Sequence, residues 1–141
     1  MPTKTADAEW TGDLPSGIGH MRVGSGAFEG AYDFRTRMGE GVGTNPEELI
    51  GAAHAGCFSM ALAAQLGSAG FKPEKIKTHA QVHFAQIDGA WTIDRIDLTT
   101  VATVPGASDQ DFQQQAQGAK KNCPVSRALA GVDIHLDAKL G

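Results

Sequence analysis

The chain contains two cysteines, Cys57 and Cys123, and their thiols are its most chemically versatile side chains. A cysteine thiolate can attack a peroxide oxygen to give a sulfenic acid, and a second cysteine can then close a disulfide. The two residues lie far apart in the sequence, so they form no CxxC redox motif, and two thiols are too few for a cysteine-rich zinc site. Cys123 precedes Pro124, where a new helical turn begins, and amides at such a turn can lower a thiol pKa. The plainest alternative is that both cysteines are inert and fill buried apolar positions.

An arginine and a glutamate could make one of these thiols reactive. Cys57 lies in an apolar stretch, where burial alone raises a thiol pKa and suppresses its reactivity. Because a guanidinium stays charged at any relevant pH, we expect Arg37 to activate Cys57, with Arg35 as the second candidate. Glu47, in the first turn of the helix that carries Cys57, is the expected carboxylate anchor for the arginine. The simpler alternative is an exposed arginine and a glutamate that only interacts with the helix dipole.

The five histidines give no convincing metal site. His79 and His83 point to the same side of a predicted strand, but they are separated by about 13 Å along it. His54 precedes Cys57 by three positions, and we expect it mainly to pack in the core or to contact a helix face. We therefore assign neither a metal nor a cofactor.

The composition narrows the function classes without identifying one. With 141 residues, 41% of them apolar, and a net charge of −4, the chain can bury a core and has no broad basic field for nucleic acid. No apolar run is long enough to span a bilayer without polar interruption, and the N-terminal residues lack the apolar core of a secretory signal. We therefore expect a cytoplasmic protein that binds neither nucleic acid nor membrane.

The pattern of apolar residues and turn formers predicts a single α+β domain over residues 1–141. Asn45 is suited to cap a long helix that starts at Pro46, with Glu48 completing a capping box. That helix is apolar on almost every face, so we expect a partner subunit to help bury it. The predicted elements are two or three short antiparallel strands in the first thirty residues, a strand over 32–38, the long helix to Gly70, strands over 76–84 and 91–104 with a bulge near Asp94-Arg95, a helix from Ser108 that Pro124 interrupts, and a strand over 132–140.

Three segments of the chain resemble the OsmC (osmotically inducible protein C) family, a relative of the organic hydroperoxide resistance proteins. They are WTGDLPSGIG (Trp10 to Gly19), GTNPEELIGAAHAGCFSMAL (Gly43 to Leu62) and CPVSRAL (Cys123 to Leu129). The resemblance covers nearly the whole chain, and the NPEEL…C…CPVS combination is specific. It implies an intertwined homodimer in which antiparallel sheets wrap around two long central helices, with the active sites at the dimer interface.

The same resemblance implies roles for four residues. Cys57 corresponds to the peroxidatic cysteine, Cys123 to the resolving cysteine, and Glu47 to the first glutamate of the NPEE motif. Arg37 corresponds to the arginine before the glycine-rich loop, although in the hydroperoxide-resistance branch the arginine comes from elsewhere in the chain. The family reduces organic hydroperoxides, and hydrogen peroxide less efficiently, with electrons from dithiols such as lipoylated proteins.

The predicted function is therefore a cysteine-based hydroperoxide reductase of oxidative and osmotic stress defence. We expect the apolar residues Phe58, Met60 and Leu49 to surround Cys57 and to favour apolar hydroperoxides. One alternative is a dimeric protein that binds a small apolar ligand and keeps both thiols buried and unreactive. A second alternative is a thiol hydrolase that uses Cys57 with His54 and does not need the other cysteine.

Overall fold

The computed structural model describes residues 1–141, which divide into two compact units: unit 1, residues 1–49, and unit 2, residues 50–141. The chain is a mixture of helices and small sheets, as the sequence pattern predicted. In chain order the elements are β1 (Ala6–Thr11), β2 (Ile18–Val23), β3 (Glu29–Tyr32), α1 (Phe34–Arg37), α2 (Pro46–Ser68), β4 (Lys75–Ile87), β5 (Ala90–Thr103), α3 (Asp109–Asn122), α4 (Pro124–Ala128) and β6 (Asp133–Leu140).

The sheet of unit 1 has the order β1-β2-β3 and is antiparallel throughout, as predicted for the first part of the chain. The predicted strand over 32–38 is wrong, because α1 occupies most of that segment. Asp33 starts this helix: its carboxylate accepts from the Thr36 N–H at 2.8 Å, and the Thr36 hydroxyl accepts from the Asp33 N–H at 2.9 Å. This capping box satisfies two backbone donors locally and so favours a helical turn over an extended strand.

The long helix α2 begins where the sequence predicted. The Asn45 side chain caps it by accepting from the Glu48 N–H at 2.8 Å. The Glu48 carboxylate does not close the expected capping box and instead accepts from the Thr44 hydroxyl at 2.7 Å. The helix ends at Ser68, and Gly70 has a φ of 92°, a conformation that favours glycine after a helix C-terminus.

The apolar residues of α2 divide into a buried and an exposed face. Three large side chains are fully buried in the core of unit 2: Phe58, Leu62 and Leu66. We call the opposite side, at helical spacings of three and four, the small-residue face: Ala53, Gly56, Met60, Ala64 and Gly67. Met60 on this face is 77% exposed.

By length and composition alone α2 could cross a membrane, contrary to the sequence-based expectation, although the core helix of a soluble protein passes the same test.

The sheet of unit 2 has the order β4-β5-β6. The antiparallel register of β4 and β5 shifts where His83 pairs with Arg95 and Phe84 with Ile93, so Asp94 forms the predicted bulge. Strand β6 pairs with β5 in parallel, so the expectation of purely antiparallel sheets is wrong. The crossover through α3 and α4 explains this difference, because a long connection lets the chain return to the same end of the sheet.

Helix α3 and the short α4 form this crossover. The helix starts at Ser108 as predicted, and Ser108 caps it, since its hydroxyl accepts from the Asp111 N–H at 3.1 Å. Pro124 starts α4, also as predicted, because proline lacks an N–H and suits the first helical position. Cys123 is therefore the C-cap of α3 and the N-cap of α4. One core cluster includes buried residues of α2, α3 and the unit 2 strands: Phe58, Leu62, Leu66, Ile96, Leu98, Ala102, Val104, Phe112, Ala116, Ala119 and Ala138.

Candidate active site

The structure brings the two cysteines together within unit 2. Cys57 lies in the middle of α2 and Cys123 lies at the junction of α3 and α4. Both are free thiols, and they are close enough to shift each other's protonation. Cys123 is fully buried, whereas Cys57 is partly exposed. The packing of the helices therefore sets a thiol that solvent can reach beside one that it cannot.

Cys123 occupies surroundings that favour its thiolate. Burial opposes ionisation, but the Cys57 thiol, the Ser126 amide and hydroxyl, and the Val125 amide together lower the pKa of Cys123. The two amides belong to the first turn of α4, which Cys123 caps. This result agrees with the expectation that amides at the start of a helical turn lower the pKa of the preceding thiol.

Cys57 is in the opposite situation. Burial and then the neighbouring Cys123 raise the pKa of Cys57, and the Val125 amide offsets only part of this effect. Of the two thiols, Cys123 therefore has the surroundings that better stabilise a negative charge. Within unit 2, the surroundings of Cys57 do not by themselves make it a thiolate, as its apolar sequence context predicted.

Arg37 and Glu47 form an ion pair within unit 1. Nε and Nη2 of Arg37 both donate to Oε1 of Glu47, at 2.9 and 2.6 Å. The Glu47 side chain is 8% exposed and the Arg37 side chain 41%. Asn45 helps to hold the two helices that carry the pair, because its Nδ2 donates to the Thr36 carbonyl oxygen at 3.2 Å. Both candidate arginines on α1 are exposed, and Arg37 is the one anchored by Glu47.

His54 and Ser126 form a buried polar pair beside the cysteines, and sequence reasoning did not single out Ser126. Nε2 of His54 lies 2.8 Å from Oγ of Ser126. His54 is fully buried, as predicted, and its Nδ1 has no hydrogen-bond partner. Burial lowers the pKa of His54, which keeps the ring neutral near pH 7. The sequence signal for Ser126 alone was its position three residues after Cys123, since residues three apart face each other across a helical turn.

The apolar residues expected around Cys57 differ in their exposure. Phe58 is fully buried in the core, and the preference for apolar hydroperoxides stays a prediction. Met60 is exposed on the small-residue face. No group of three or more His, Cys, Asp or Glu side chains is arranged to hold a metal ion.

Comparison with known proteins shows the family to which the chain belongs. Residues 39–137 match the family described as OsmC-like protein. The chain is 45% identical over 138 residues to peroxiredoxin OsmC of Escherichia coli (strain K12), a match that covers 97% of this chain and 96% of that protein. It is 34% identical over 98 residues to the organic hydroperoxide resistance protein of Xanthomonas axonopodis pv. citri (strain 306), covering 68% of this chain and 67% of that protein.

Solved structures give the same result for the fold. The organic hydroperoxide resistance protein from Elizabethkingia anophelis superposes with a TM-score of 0.75 at 26% identity, covering 99% of this chain and 97% of that one. OhrB of Bacillus subtilis superposes with a TM-score of 0.73, also at 26% identity, covering 96% of this chain and 98% of that one. Fold and site thus define a protein of the OsmC and hydroperoxide-resistance class. The chain belongs to the OsmC family, as its motifs predicted.

Proposed function

We propose that the chain is a cysteine-based peroxidase that reduces organic hydroperoxides, and hydrogen peroxide more weakly, through Cys57 and Cys123. The observation that carries this proposal is the proximity of two cysteines that lie far apart in the sequence. A partly exposed thiol beside a buried one suits a pair in which the first meets the peroxide and the second closes the disulfide. The names of the Escherichia coli and Xanthomonas relatives, a peroxiredoxin and a hydroperoxide resistance protein, support the same activity.

The proposed reaction has three steps. The Cys57 thiolate attacks the distal peroxide oxygen, the O–O bond breaks, and the leaving alkoxide takes up a proton to become an alcohol. Cys57 is then a sulfenic acid, and the Cys123 sulfur displaces its oxygen as water to form the disulfide. A dithiol reductant, which in this family can be a lipoylated protein, returns both cysteines to thiols by exchange.

The first step requires help that unit 2 does not supply, because burial raises the pKa of Cys57. We assign this help to Arg37, with Glu47 as its anchor. A guanidinium stabilises a thiolate and can donate to the peroxide oxygens as charge develops on the leaving group. The hydrogen bonds from two Arg37 nitrogens to one Glu47 oxygen support the anchoring role, since they fix the position and orientation of the guanidinium.

We further propose that units 1 and 2 form one OsmC-like domain and that two copies assemble as a homodimer around paired α2 helices. The small-residue face of α2 supports this arrangement, because small side chains allow close approach of helices and Met60 is 77% exposed in one chain. Burying this face against a second copy would remove exposed apolar area from water. We place the protein in the cytoplasm, where dithiol reductants are available.

The test is the intact mass of the reduced protein after one equivalent of cumene hydroperoxide. We expect the loss of two hydrogens, which marks a disulfide, and a slower reaction with hydrogen peroxide. An unchanged mass with both thiols still titratable would favour the apolar-ligand-binding alternative. The hydrolase alternative is less compatible with the site, because Nε2 of its proposed base, His54, is engaged with Ser126. Release of acid from a thioester by a Cys123→Ala variant would instead support the hydrolase alternative.

A further inference from the structure

The His54–Ser126 pair is a buried polar group that the proposed reaction does not use. Ser126 is 6% exposed and His54 is fully buried, so their mutual hydrogen bond replaces contacts that water would otherwise provide. Ser126 is the third residue of α4, and Cys123 is the N-cap of that helix. The N-cap and third positions of a helix face each other, and the Ser126 hydroxyl both contacts the His54 imidazole and interacts with the Cys123 sulfur.

The direction of the hydrogen bonds follows from the donors available. His54 is neutral and its Nδ1 has no partner, so Nδ1 is an N–H without an acceptor in one tautomer and a lone pair without a donor in the other. A buried N–H without an acceptor is rarer in proteins than an acceptor without a donor, so the proton resides on Nε2. Nε2–H of His54 then donates to Ser126 Oγ. Because a serine hydroxyl has a single proton, that proton is free to point at Cys123.

We propose that the Ser126 hydroxyl donates a hydrogen bond to the Cys123 sulfur while Cys123 attacks the Cys57 sulfenic acid, and that His54 is the positioning residue that holds Ser126 in this orientation. The inference rests on the proposed peroxidase function and assigns two further residues to its second step. In that step the Cys123 thiolate forms a bond to the Cys57 sulfur as the S–O bond breaks. The departing hydroxide takes up the proton that Cys123 released and leaves as water, so no further oxidant is needed.

The interaction of Ser126 with the Cys123 sulfur has an electrostatic consequence that agrees with this assignment. The Ser126 hydroxyl is one of the groups that lower the pKa of Cys123 against the effect of burial. A lower pKa makes more of the attacking thiolate available near neutral pH. Ser126 is not among the groups that shift the pKa of Cys57, so loss of the Ser126 hydroxyl should act on the second step and not on the attack on peroxide.

The experiment follows the two steps separately by rapid mixing with cumene hydroperoxide, acid quench and thiol counting. Ser126→Ala and His54→Leu should slow disulfide formation at least about tenfold, the loss expected for a hydrogen bond to a charged group, with sulfenic acid formation unchanged. His54→Gln can place an amide N–H near the position of Nε2 and should restore disulfide formation to within about threefold of the unmodified protein. The double variant His54→Leu/Ser126→Ala should be no slower than Ser126→Ala, because His54 acts through Ser126.

A second readout does not depend on the peroxidase function. In a Cys57→Ser background, titration of thiolate absorbance should show that Ser126→Ala raises the pKa of Cys123. If the unmodified protein forms no disulfide with the hydroperoxide, the proposed function fails while this titration still tests the role of Ser126. An unshifted titration, or disulfide formation by Ser126→Ala at the unmodified rate, overturns the inference. Equal slowing in His54→Gln and His54→Leu would overturn the positioning role of His54.

Discussion

Replacing Arg37 by methionine tests the assignment of the activating cation. Methionine keeps much of the aliphatic length of arginine and removes the two N–H donors that hold Glu47. Loss of one donor that is aligned with developing charge lowers rates by about 10²–10³-fold in well-studied enzymes. Because the Arg37 side chain is 41% exposed, solvent replaces part of its effect, so we expect about a hundredfold loss in kcat/KM for cumene hydroperoxide.

The same substitution should also affect stability, and this effect can be separated from activity. The Glu47 carboxylate is 8% exposed, and in Arg37→Met it loses both charged hydrogen bonds. We expect the free energy of unfolding to fall by about 1–2 kcal/mol, the lower part of the range for charged hydrogen bonds because one partner is half exposed. Arg37→Met/Glu47→Gln should regain most of this stability, since no unpaired charge remains, and should stay as inactive as Arg37→Met.

Peroxidase turnover with an excess of dithiol, together with urea unfolding, measures both quantities. Arg35→Met is the matched control, because Arg35 is exposed on the same short helix, and its kcat/KM should stay within about twofold of the unmodified protein. Full activity in Arg37→Met would refute the role of this arginine. Equal losses of kcat/KM in Arg35→Met and Arg37→Met would show that the ion pair with Glu47 does not distinguish the activating arginine from its neighbour.

Three further perturbations test the core, the buried histidine and the proposed dimer. Leu62→Ala should lower the free energy of unfolding by about 3 kcal/mol in urea titrations because Leu62 is fully buried, whereas Leu14→Ala, at a side chain 60% exposed, should change it by less than about 0.5 kcal/mol. Burial lowers the pKa of His54 from its ordinary 6.5, so the unfolded chain gains a proton first as the pH falls, and stability should decrease below pH 6.5 by up to about 1.4 kcal/mol per pH unit. His54→Gln should remove this part of the pH dependence, and an identical slope would contradict the assignment. Met60→Glu should raise the dissociation constant of the dimer about a hundredfold or more in sedimentation experiments, because it would bury an unpaired charge, whereas Gln110→Glu, which adds the same charge to an exposed residue, should not.

The features that could be predicted from the sequence depend on neighbouring residues. Asn45 and Ser108 cap their helices, and Pro124 divides α3 from α4, because each effect acts within one helical turn. The segment that was misassigned shows the limit of this reasoning. Arg35 and Arg37 alternate with other residues as in a strand, but the local capping box that begins at Asp33 decides in favour of a helix.

The features that could not be predicted depend on tertiary packing. The alternating pattern of β6 identifies a strand but not its direction, so its parallel pairing with β5 required the structure. The proximity of Cys57 and Cys123 arises from the packing of α2 with the α3–α4 crossover around a common core, which no spacing in the sequence encodes. The polar partnership of His54 with Ser126 has the same origin, because these residues are 72 positions apart. Sequence motifs indicated that the two cysteines act as a pair, and the structure shows which groups surround each thiol.

The central claim is that Cys57 attacks the peroxide and Cys123 resolves the product, even though the surroundings in unit 2 lower the pKa of Cys123 and raise that of Cys57. The most direct measurement is sulfenic acid trapping with dimedone in Cys57→Ser and Cys123→Ser, each given one equivalent of cumene hydroperoxide and analysed by peptide mass. The account predicts a trapped sulfenic acid on Cys57 in Cys123→Ser and an unmodified Cys123 in Cys57→Ser. A trapped sulfenic acid on Cys123, with Cys57 unreactive in the other variant, would contradict the account and exchange the two roles.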